Sequence, residues 1–267
     1  MKKRSTLGLV LVGVALLTLA GIPNGFAAGT PSSKATADIN TAVGCTVSKV
    51  TTIGDTLPLD CHDVFSGAAA TVTPDNFAEI MQATVKLSNS QSLFVSPSLV
   101  TGLYTNTKVR TATGTSSTAT AMGGVYLRAV LYDSLGNAIV AEPIKRCTSN
   151  ILGCYADANG AKGVVLDSRI QTLTQDLSTC VVTVGGLPTG AACDFTLTTQ
   201  LILQTTSAHT FNFIFPNVGV GVYSLSIQVA VKSDATVVGS GTAIGGAAFG
   251  LGSVTAESVR LVHDFEF

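Results

Sequence analysis

The amino-acid sequence predicts an all-β fold, an antiparallel β-sandwich that follows an N-terminal signal peptide. Three observations predict it: apolar and polar residues alternate over several stretches, turn-forming Gly, Asn and Ser separate those stretches, and helical periodicity is nearly absent. The composition agrees with this class, because Thr, Val and Ser are abundant and only 12% of residues are charged. The pattern leaves a jelly-roll and an immunoglobulin-like arrangement equally open.

The first 27 residues have the organisation of a secretory signal peptide. Three basic residues at positions 2–4 precede an uncharged apolar run at 7–22, and Gly25 and Ala27 are small residues where signal peptidase reads the chain. We expect cleavage after Ala27. An uncleaved membrane anchor is the alternative, although a bilayer span takes about 20 apolar residues.

The rest of the chain is expected to form one domain. Residues 28–40 are predicted to be a disordered leader, since chain termini are often poorly ordered, and residues 41–267 a single β-sandwich with disulfide-stapled loops. Roughly 240 mature residues can bury a substantial core. No further segment approaches a membrane span, so none is expected after signal cleavage.

Charge excludes one class of partner. Signal cleavage removes three of the 15 Lys and Arg residues and none of the 16 Asp and Glu residues, so the formal net charge moves from −1 to −4. Nucleic-acid binding proteins need a basic surface. We therefore expect no nucleic-acid partner.

Alternation with period two marks the strands. It is clearest at residues 223–231 and recurs at 81–87, while 125–132 is apolar on both faces and predicts a more central strand followed by a turn at 133–137. A further strand is predicted at 195–203. Its apolar residues share one face, broken only by Thr199, and are Phe195, Leu197, Leu201 and Leu203.

Two stretches of small residues are predicted to be loops. Residues 111–120 are nearly all Thr, Ser, Ala and Gly, which favours a flexible excursion over an O-glycosylated segment or a polar edge strand. Residues 239–252 carry six glycines and predict a mobile hairpin or wide turn. A phosphate-binding glycine loop would need a following helix, and no helical pattern follows.

Six cysteines form an even set in a chain predicted to be exported, where disulfides are the rule. They fall into three pairs close in sequence, and although six cysteines allow 15 connectivities, local pairing is our prediction. The predicted pairs are Cys45 with Cys61, Cys147 with Cys154, and Cys180 with Cys193. No C-x-x-C motif is present, and Cys61, His62 and Asp63 would face alternate sides of a strand, so no metal site is predicted.

Candidate catalytic residues are few. The histidines are His62, His209 and His263, no G-x-S-x-G motif occurs, and His209 at the start of a strand is expected to be a surface or packing residue. Asp167 and Arg169 lie two residues apart and are expected to form an exposed ion pair. We predict no catalytic, cofactor-binding or metal-binding residue, no cofactor and no enzymatic activity.

Four segments resemble a set of uncharacterised exported bacterial proteins. They are VKLSNSQSLFVSPSLVTGLYTNTKV at 85–109, VVLDSRIQTLT at 164–174, SAHTFNFIFPNVGVGVYSLSIQVAV at 207–231 and GSVTAESVRLV at 252–262. The resemblance covers most of the chain from Asp75 onward. It implies a β-sandwich whose final strands contain FNF, GVYSLSIQV and SVRLV, and it implies no activity and no functional residue.

These observations favour a secreted or cell-surface structural or interaction protein. Such a module could associate with itself through an edge strand or an exposed Thr-rich face. The alternative is a carbohydrate-binding or small-ligand-binding β-sandwich module, whose partner would be a surface glycan.

Overall fold

The computed structural model describes residues 35–57, 60–65, 75–148, 151–177, 181–192 and 195–259. These residues belong to one compact unit. They form two packed antiparallel sheets, which confirms the predicted β-sandwich class. The predicted signal peptide lies outside the described residues.

The elements are, in chain order, β1 (Ala35–Asn40), β2 (Gly44–Thr51), α1 (Cys61–Val64), β3 (Ala78–Leu87), β4 (Gln91–Ala112), β5 (Ser116–Tyr132), β6 (Ala138–Val140), α2 (Glu142–Lys145), β7 (Cys154–Ala156), β8 (Lys162–Asp176), β9 (Val181–Val184), β10 (Leu187–Ala192), β11 (Thr196–Thr210), β12 (Phe213–Val218), β13 (Gly221–Val238) and β14 (Gly241–Val259).

Sheet A has the strand order β1-β14-β4-β11, with β2 also paired to β14 and β12 also paired to β4. Two partners fit along one side of β4 because it is 22 residues long: β12 pairs with its first residues and β11 with the rest. Sheet B has the order β3-β13-β5-β8-β7, with β6 also paired to β5. Strands β9 and β10 form a separate two-stranded sheet.

The main core lies between the inward faces of the two sheets. The predicted strands at 81–87, 125–132 and 223–231 are confirmed, and their alternate apolar residues are buried. The largest fully buried side chains of this core include Phe213, Phe215, Met81, Leu93, Leu127 and Leu225. Burial of this face is the main term that stabilises the fold.

The predicted turn at 133–137 is confirmed. The Asp133 carboxylate accepts hydrogen bonds from the backbone N–H groups of Leu135 and Asn137, at 2.8 Å each. Gly136 has a positive φ of 83°, which glycine adopts without steric cost. The chain thereby returns from β5 into β6.

The glycine-rich stretch at 239–252 was expected to be a mobile loop, and this prediction is wrong. Most of it belongs to β14, a buried strand at the centre of sheet A. A side chain at Gly245 would collide with the carbonyl oxygens of Met122 and Asp234 in sheet B, and one at Gly123 would collide with the carbonyl oxygen of Gly246. The glycines are therefore required because the two sheet backbones touch here.

The prediction of a flexible excursion at 111–120 is also wrong. Strand β4 continues to Ala112 and β5 begins at Ser116, so only a tight turn separates two long strands. Thr111 and Ala119 are fully buried. Ala119 packs with Val109, Ala235 and Ala243 in a small core. Small residues occur here because the close sheets leave no room for larger ones.

The predicted leader at 28–40 extends too far. Residues 35–40 form β1, which pairs with β14 from Ala35 opposite Glu257 to Asn40 opposite Gly252. The Asp38 carboxylate also accepts the backbone N–H of Gln82 at 2.8 Å, which ties β1 to β3. The ordered domain therefore includes residues before position 41, while residues 28–34 and 260–267 lie outside the described residues.

Substitution of Gly245 by alanine tests the backbone contact between the sheets. The new methyl group would meet main-chain oxygens of both β5 and β13, so we expect the free energy of unfolding to fall by about 3 kcal/mol, the upper end for overpacked cores. Urea denaturation measures it. Gly246→Ala is the matched control, because its methyl group would lie 3.5 Å from Val47, an ordinary contact. Equal effects of the two substitutions would contradict this explanation.

Candidate functional site

Two of the three predicted disulfides are present and confirmed. Cys45 of β2 is bonded to Cys61 of α1, with 6.1 Å between their Cα atoms. Cys147, which follows α2, is bonded to Cys154 of β7, with 5.3 Å between their Cα atoms. The predicted third pair, Cys180 with Cys193, lies outside the described residues.

The first disulfide fastens α1 onto the outer face of sheet A. Asp60 caps this helix, its carboxylate accepting the N–H groups of His62 and Asp63 at 2.9 and 3.0 Å. Phe65, just after α1, packs where a side chain at Gly102 would lie. The other buried members of this second core are Cys45, Cys61, Val64, Tyr104, Ile244 and Ala248.

The Cys61-His62-Asp63 sequence lies on a helix and not on a strand as expected. Cys61 is occupied by its disulfide, and Asp63 completes the helix cap by accepting the N–H of Asp60 at 3.4 Å. Within the described ranges, no three His, Cys, Asp or Glu side chains are grouped so as to hold a metal ion.

A serine, a histidine and an aspartate meet at the end of β11. The His209 Nε2 atom lies 2.6 Å from Ser207 Oγ and 3.3 Å from Asp167 Oδ2. In a catalytic triad the carboxylate binds the imidazole nitrogen opposite the one that faces the serine. Both partners here share Nε2, so the cluster lacks the arrangement of a triad. The Thr101 hydroxyl also donates to Asp167, at 2.7 Å.

The predicted ion pair between Asp167 and Arg169 is wrong, although both side chains do point toward sheet A. Asp167 contacts His209 and Thr101, whereas Arg169 donates to the Thr205 hydroxyl at 2.9 Å. Residues two apart on a strand share a face but lie nearly 7 Å apart along it. Each side chain is therefore held by the opposite sheet rather than by its neighbour.

A buried glutamine places β8 beneath β4. The Thr105 hydroxyl donates to Gln171 Oε1 at 2.8 Å, and Gln171 Nε2 donates to the Thr107 hydroxyl at 2.6 Å and to the Leu201 carbonyl at 2.8 Å. All polar atoms of this side chain are used, as burial requires. Strand β8 is the last long strand of sheet B, and it packs against β4 of sheet A. Strand β11 is the next strand of sheet A after β4, at the edge of that sheet.

Strand β11 forms an open edge of sheet A. It pairs with β4 in unbroken register from Thr196 opposite Ala112 to Thr210 opposite Ser98, and no other described strand pairs with it. Its 15 residues contain no Pro, Lys, Arg, Asp or Glu. Natural proteins usually protect edge strands with such residues or with bulges. None of these protections occurs on β11.

The apolar face predicted at 195–203 is present but is not buried by the chain. These residues lie opposite inward-facing residues of β4, such as Thr107 and Thr111, so they point to the inner side of sheet A. The exposed fractions are 46% for Phe195, 46% for Leu197, 42% for Leu201 and 42% for Leu203. We call these four residues the β11 apolar stripe.

On the opposite side of the sandwich, hydrogen bonds join the two sheets. Asp38 of β1 takes the edge N–H of Gln82 on β3, and Ser48 of β2 contacts Ser233 of β13, with 2.9 Å between the hydroxyl oxygens. Behind β2, Asp55 accepts hydrogen bonds from Lys108 and Thr242, which lower the pKa of its carboxyl group. The edge strands on this side also expose single large apolar residues, Ile39 of β1 and Val50 of β2, whereas the β11 side exposes four on one face.

A cleft of about 420 Å³ lies at the second disulfide, on sheet B. Its described lining residues are Cys147, Thr148, Cys154, Tyr155, Ala156 and Lys162. The Tyr155 ring stacks on Tyr126 with 3.7 Å between centroids, and its hydroxyl donates to the Asp75 carboxylate. Burial is the main cause that raises the pKa of Tyr155 well above its usual value, and the hydrogen bond to Asp75 is the second. The hydroxyl group therefore stays protonated.

The two described disulfides follow from the amino-acid sequence, whereas the open β11 edge and the cleft at Cys147–Cys154 do not. The sequence does contain one indication of the open edge, the long alternating run of β11, which has no proline and no Lys, Arg, Asp or Glu. The cleft had none, because Tyr126, Tyr155 and Lys162 come from three strands and carry no common motif.

Comparison with known proteins identifies no family. No protein-family model and no curated protein matches the chain. Among solved structures, a chain from infectious bursal disease virus strain Gx is 12% identical, with a TM-score of 0.13 over 85% of this chain and 40% of that chain. The strain Gt structure is 10% identical, with a TM-score of 0.07 over 86% and 42%. This protein thus spans less than half of those chains, and such scores carry no structural argument.

One finding bears on the membrane. Among the described residues, no helix is both long enough and apolar enough to span a bilayer.

Removal of the first disulfide tests its contribution to the fold. The bond closes a loop across 16 positions of sequence, and closing a loop of about 15 residues contributes about 3 kcal/mol. We expect the double substitution Cys45→Ser with Cys61→Ser to lower the free energy of unfolding by about that amount, measured by urea denaturation. A loss below about 1 kcal/mol would contradict a stabilising role for the bond.

Proposed function

We propose that this protein is an exported structural protein of the cell surface or extracellular space, whose copies assemble through the open edge of β11. The observation that carries this proposal is the β11 apolar stripe. A face that alternates like a core face, yet stays exposed in the single chain, is typical of a surface that is buried on association.

A second copy of this chain is the partner that fits the edge. Two β11 strands can pair antiparallel about a twofold axis perpendicular to sheet A, so that the sheet continues from one copy into the other. Strand β11 has no Lys, Arg, Asp or Glu, so pairing across that axis would bring no two like charges of this strand together. The two apolar stripes would then lie on the same side of the joined sheet.

The energies are adequate for a reversible dimer. Edge pairing covers the flank of each of the four half-exposed stripe residues but adds no layer over the stripe, so it buries part of their remaining apolar surface and contributes about 1–3 kcal/mol per copy. Association costs about 4–15 kcal/mol in lost freedom, which the two stripes together offset only in part. Backbone hydrogen bonds along the paired edges add about 0.5–1.5 kcal/mol each. We therefore expect dimers at micromolar concentration.

Export is supported by two features. The chain begins with a basic, apolar and small-residue pattern typical of a signal peptide. The two disulfides favour an oxidising compartment. The resemblance to exported bacterial β-sandwich proteins remains a prediction from sequence.

Substitution of Leu203 by lysine tests assembly. A lysine in the middle of β11 would place two ammonium groups close together across the twofold axis and keep them from water. We expect the wild-type protein to form dimers at tens of micromolar in sedimentation velocity experiments, and the Leu203→Lys protein to stay monomeric. Because Leu203 is half exposed in the single chain, the variant should fold normally.

The matched control is Ile170→Lys. Ile170 is 69% exposed on β8 and is not part of the β11 stripe, so this variant should dimerise like the wild type. A wild-type protein that is monomeric at 100 μM, a concentration of the order that weak interfaces require, would overturn the proposal. So would equal dimerisation of the Leu203→Lys protein.

A further inference from the structure

We infer that the cleft at the Cys147–Cys154 disulfide binds a carboxylated sugar unit, as found in acidic polysaccharides. This inference is independent of assembly through β11, since the cleft lies on sheet B and contains no residue of that strand. It assigns the chain a second property, recognition of a surface or matrix glycan.

The size and stiffness of the cleft suit a small ligand. Its volume of about 420 Å³ lies within the range of about 300–1,000 Å³ that is usual for such sites. One wall is the disulfide, which joins Cys147 to β7. Strand β7 in turn pairs with β8 from Cys154 opposite Val164 to Ala156 opposite Lys162. A preformed cleft reduces the entropy that binding costs.

The Tyr155 ring provides an apolar platform. It is fixed by its stack on Tyr126, by an edge contact with Phe77 at 5.8 Å between centroids, and by the bond of its hydroxyl to Asp75. Few rotamers remain to be lost when a ligand packs against it. Tyr126 covers one face of the ring and the Lys232 ammonium group lies 6.0 Å from its centroid, so Tyr155 offers a sugar the part of its ring that lines the cleft.

Lys162 provides the charge. Its ammonium group donates to the Cys147 carbonyl at 2.9 Å, which leaves two of its three N–H donors for a ligand. In the part of the chain that the structure describes, no carboxylate forms an ion pair with Lys162. A positive charge without an anionic partner, in a cleft, favours an anionic ligand.

The carboxylates near the cleft are already occupied. Asp157 accepts backbone N–H groups of Asn159 and Ala161 at 2.9 and 2.8 Å through one oxygen and that of Phe77 at 3.1 Å through the other. Asp75 accepts the Tyr155 hydroxyl and lies 3.6 Å from the Lys232 ammonium group. Asp75 is thus balanced by Lys232 and Asp157 is bound by backbone N–H groups, so neither carboxylate pairs with Lys162, and Thr148 also lines the cleft.

Titration calorimetry with tri-galacturonate as the probe tests the assignment. We expect the wild-type protein to bind it, to bind a neutral trisaccharide of galactose at least tenfold more weakly, and to lose affinity as salt is raised. Lys162→Met should weaken tri-galacturonate binding at least tenfold. Lys162→Arg, which keeps the charge, should restore most of it, and Lys86→Met on β3 should leave it unchanged.

Three results would overturn the inference. The first is no binding of tri-galacturonate by the folded wild-type protein. The second is equal binding by the Lys162→Met protein, provided that its melting temperature shows it to be folded. The third is binding of benzoate as tight as that of tri-galacturonate, which would mean that the cleft selects a carboxylate without a sugar.

Discussion

The contact between the two sheet backbones at Gly123, Gly245 and Gly246 is the constraint on which the rest of the structure depends. It lies between two cores of different width. On one side, Val109, Ala119, Ala235 and Ala243 pack in a narrow space, and on the other, phenylalanine and leucine side chains fill a wider one. Interiors are close-packed, so side-chain size along each strand must follow the local distance between the sheets.

That spacing also decides how the sheets overlap. Where they are close, the polar layer of Thr105, Thr107 and Gln171 joins β4 directly to β8. Sheet B then ends at β8 beneath β4 and touches β11 through the side chains of Asp167, Arg169 and Gln171. The leucines of β11 consequently lack the covering layer that the same alternation receives on β13. The open edge is a consequence of how the two sheets pack rather than a local defect of one strand.

The two proposed surfaces are separate in the fold and compatible in function. Assembly through β11 would extend sheet A, while the cleft beside Tyr155 belongs to sheet B and to the disulfide after α2. A β11-linked pair would thus carry two clefts. Two linked sites can bind a repeating polymer more tightly than either site alone.

The sequence predicted the fold class and most strands because alternation follows directly from strand geometry. It predicted two disulfides because compartment and spacing restrict the choices. It failed at 111–120 and 239–252, where small residues have the same composition in a loop as in a strand packed against another backbone. The exposure of Leu201 and Leu203 could not be predicted from the sequence, since alternation shows that a face is apolar and not what covers it. The cleft depends on residues from distant strands, which no local pattern reports.

Hydrogen exchange along β11 tests the central claim most directly. About half of its backbone N–H groups point away from β4, since alternate residues of an edge strand face outward. If copies pair through this edge, peptides covering 196–210 will exchange several-fold more slowly at 100 μM protein than at 1 μM, concentrations above and below the expected micromolar dissociation constant. Peptides from β13 will exchange at the same rate at both. Exchange of β11 that does not change with protein concentration would contradict the account.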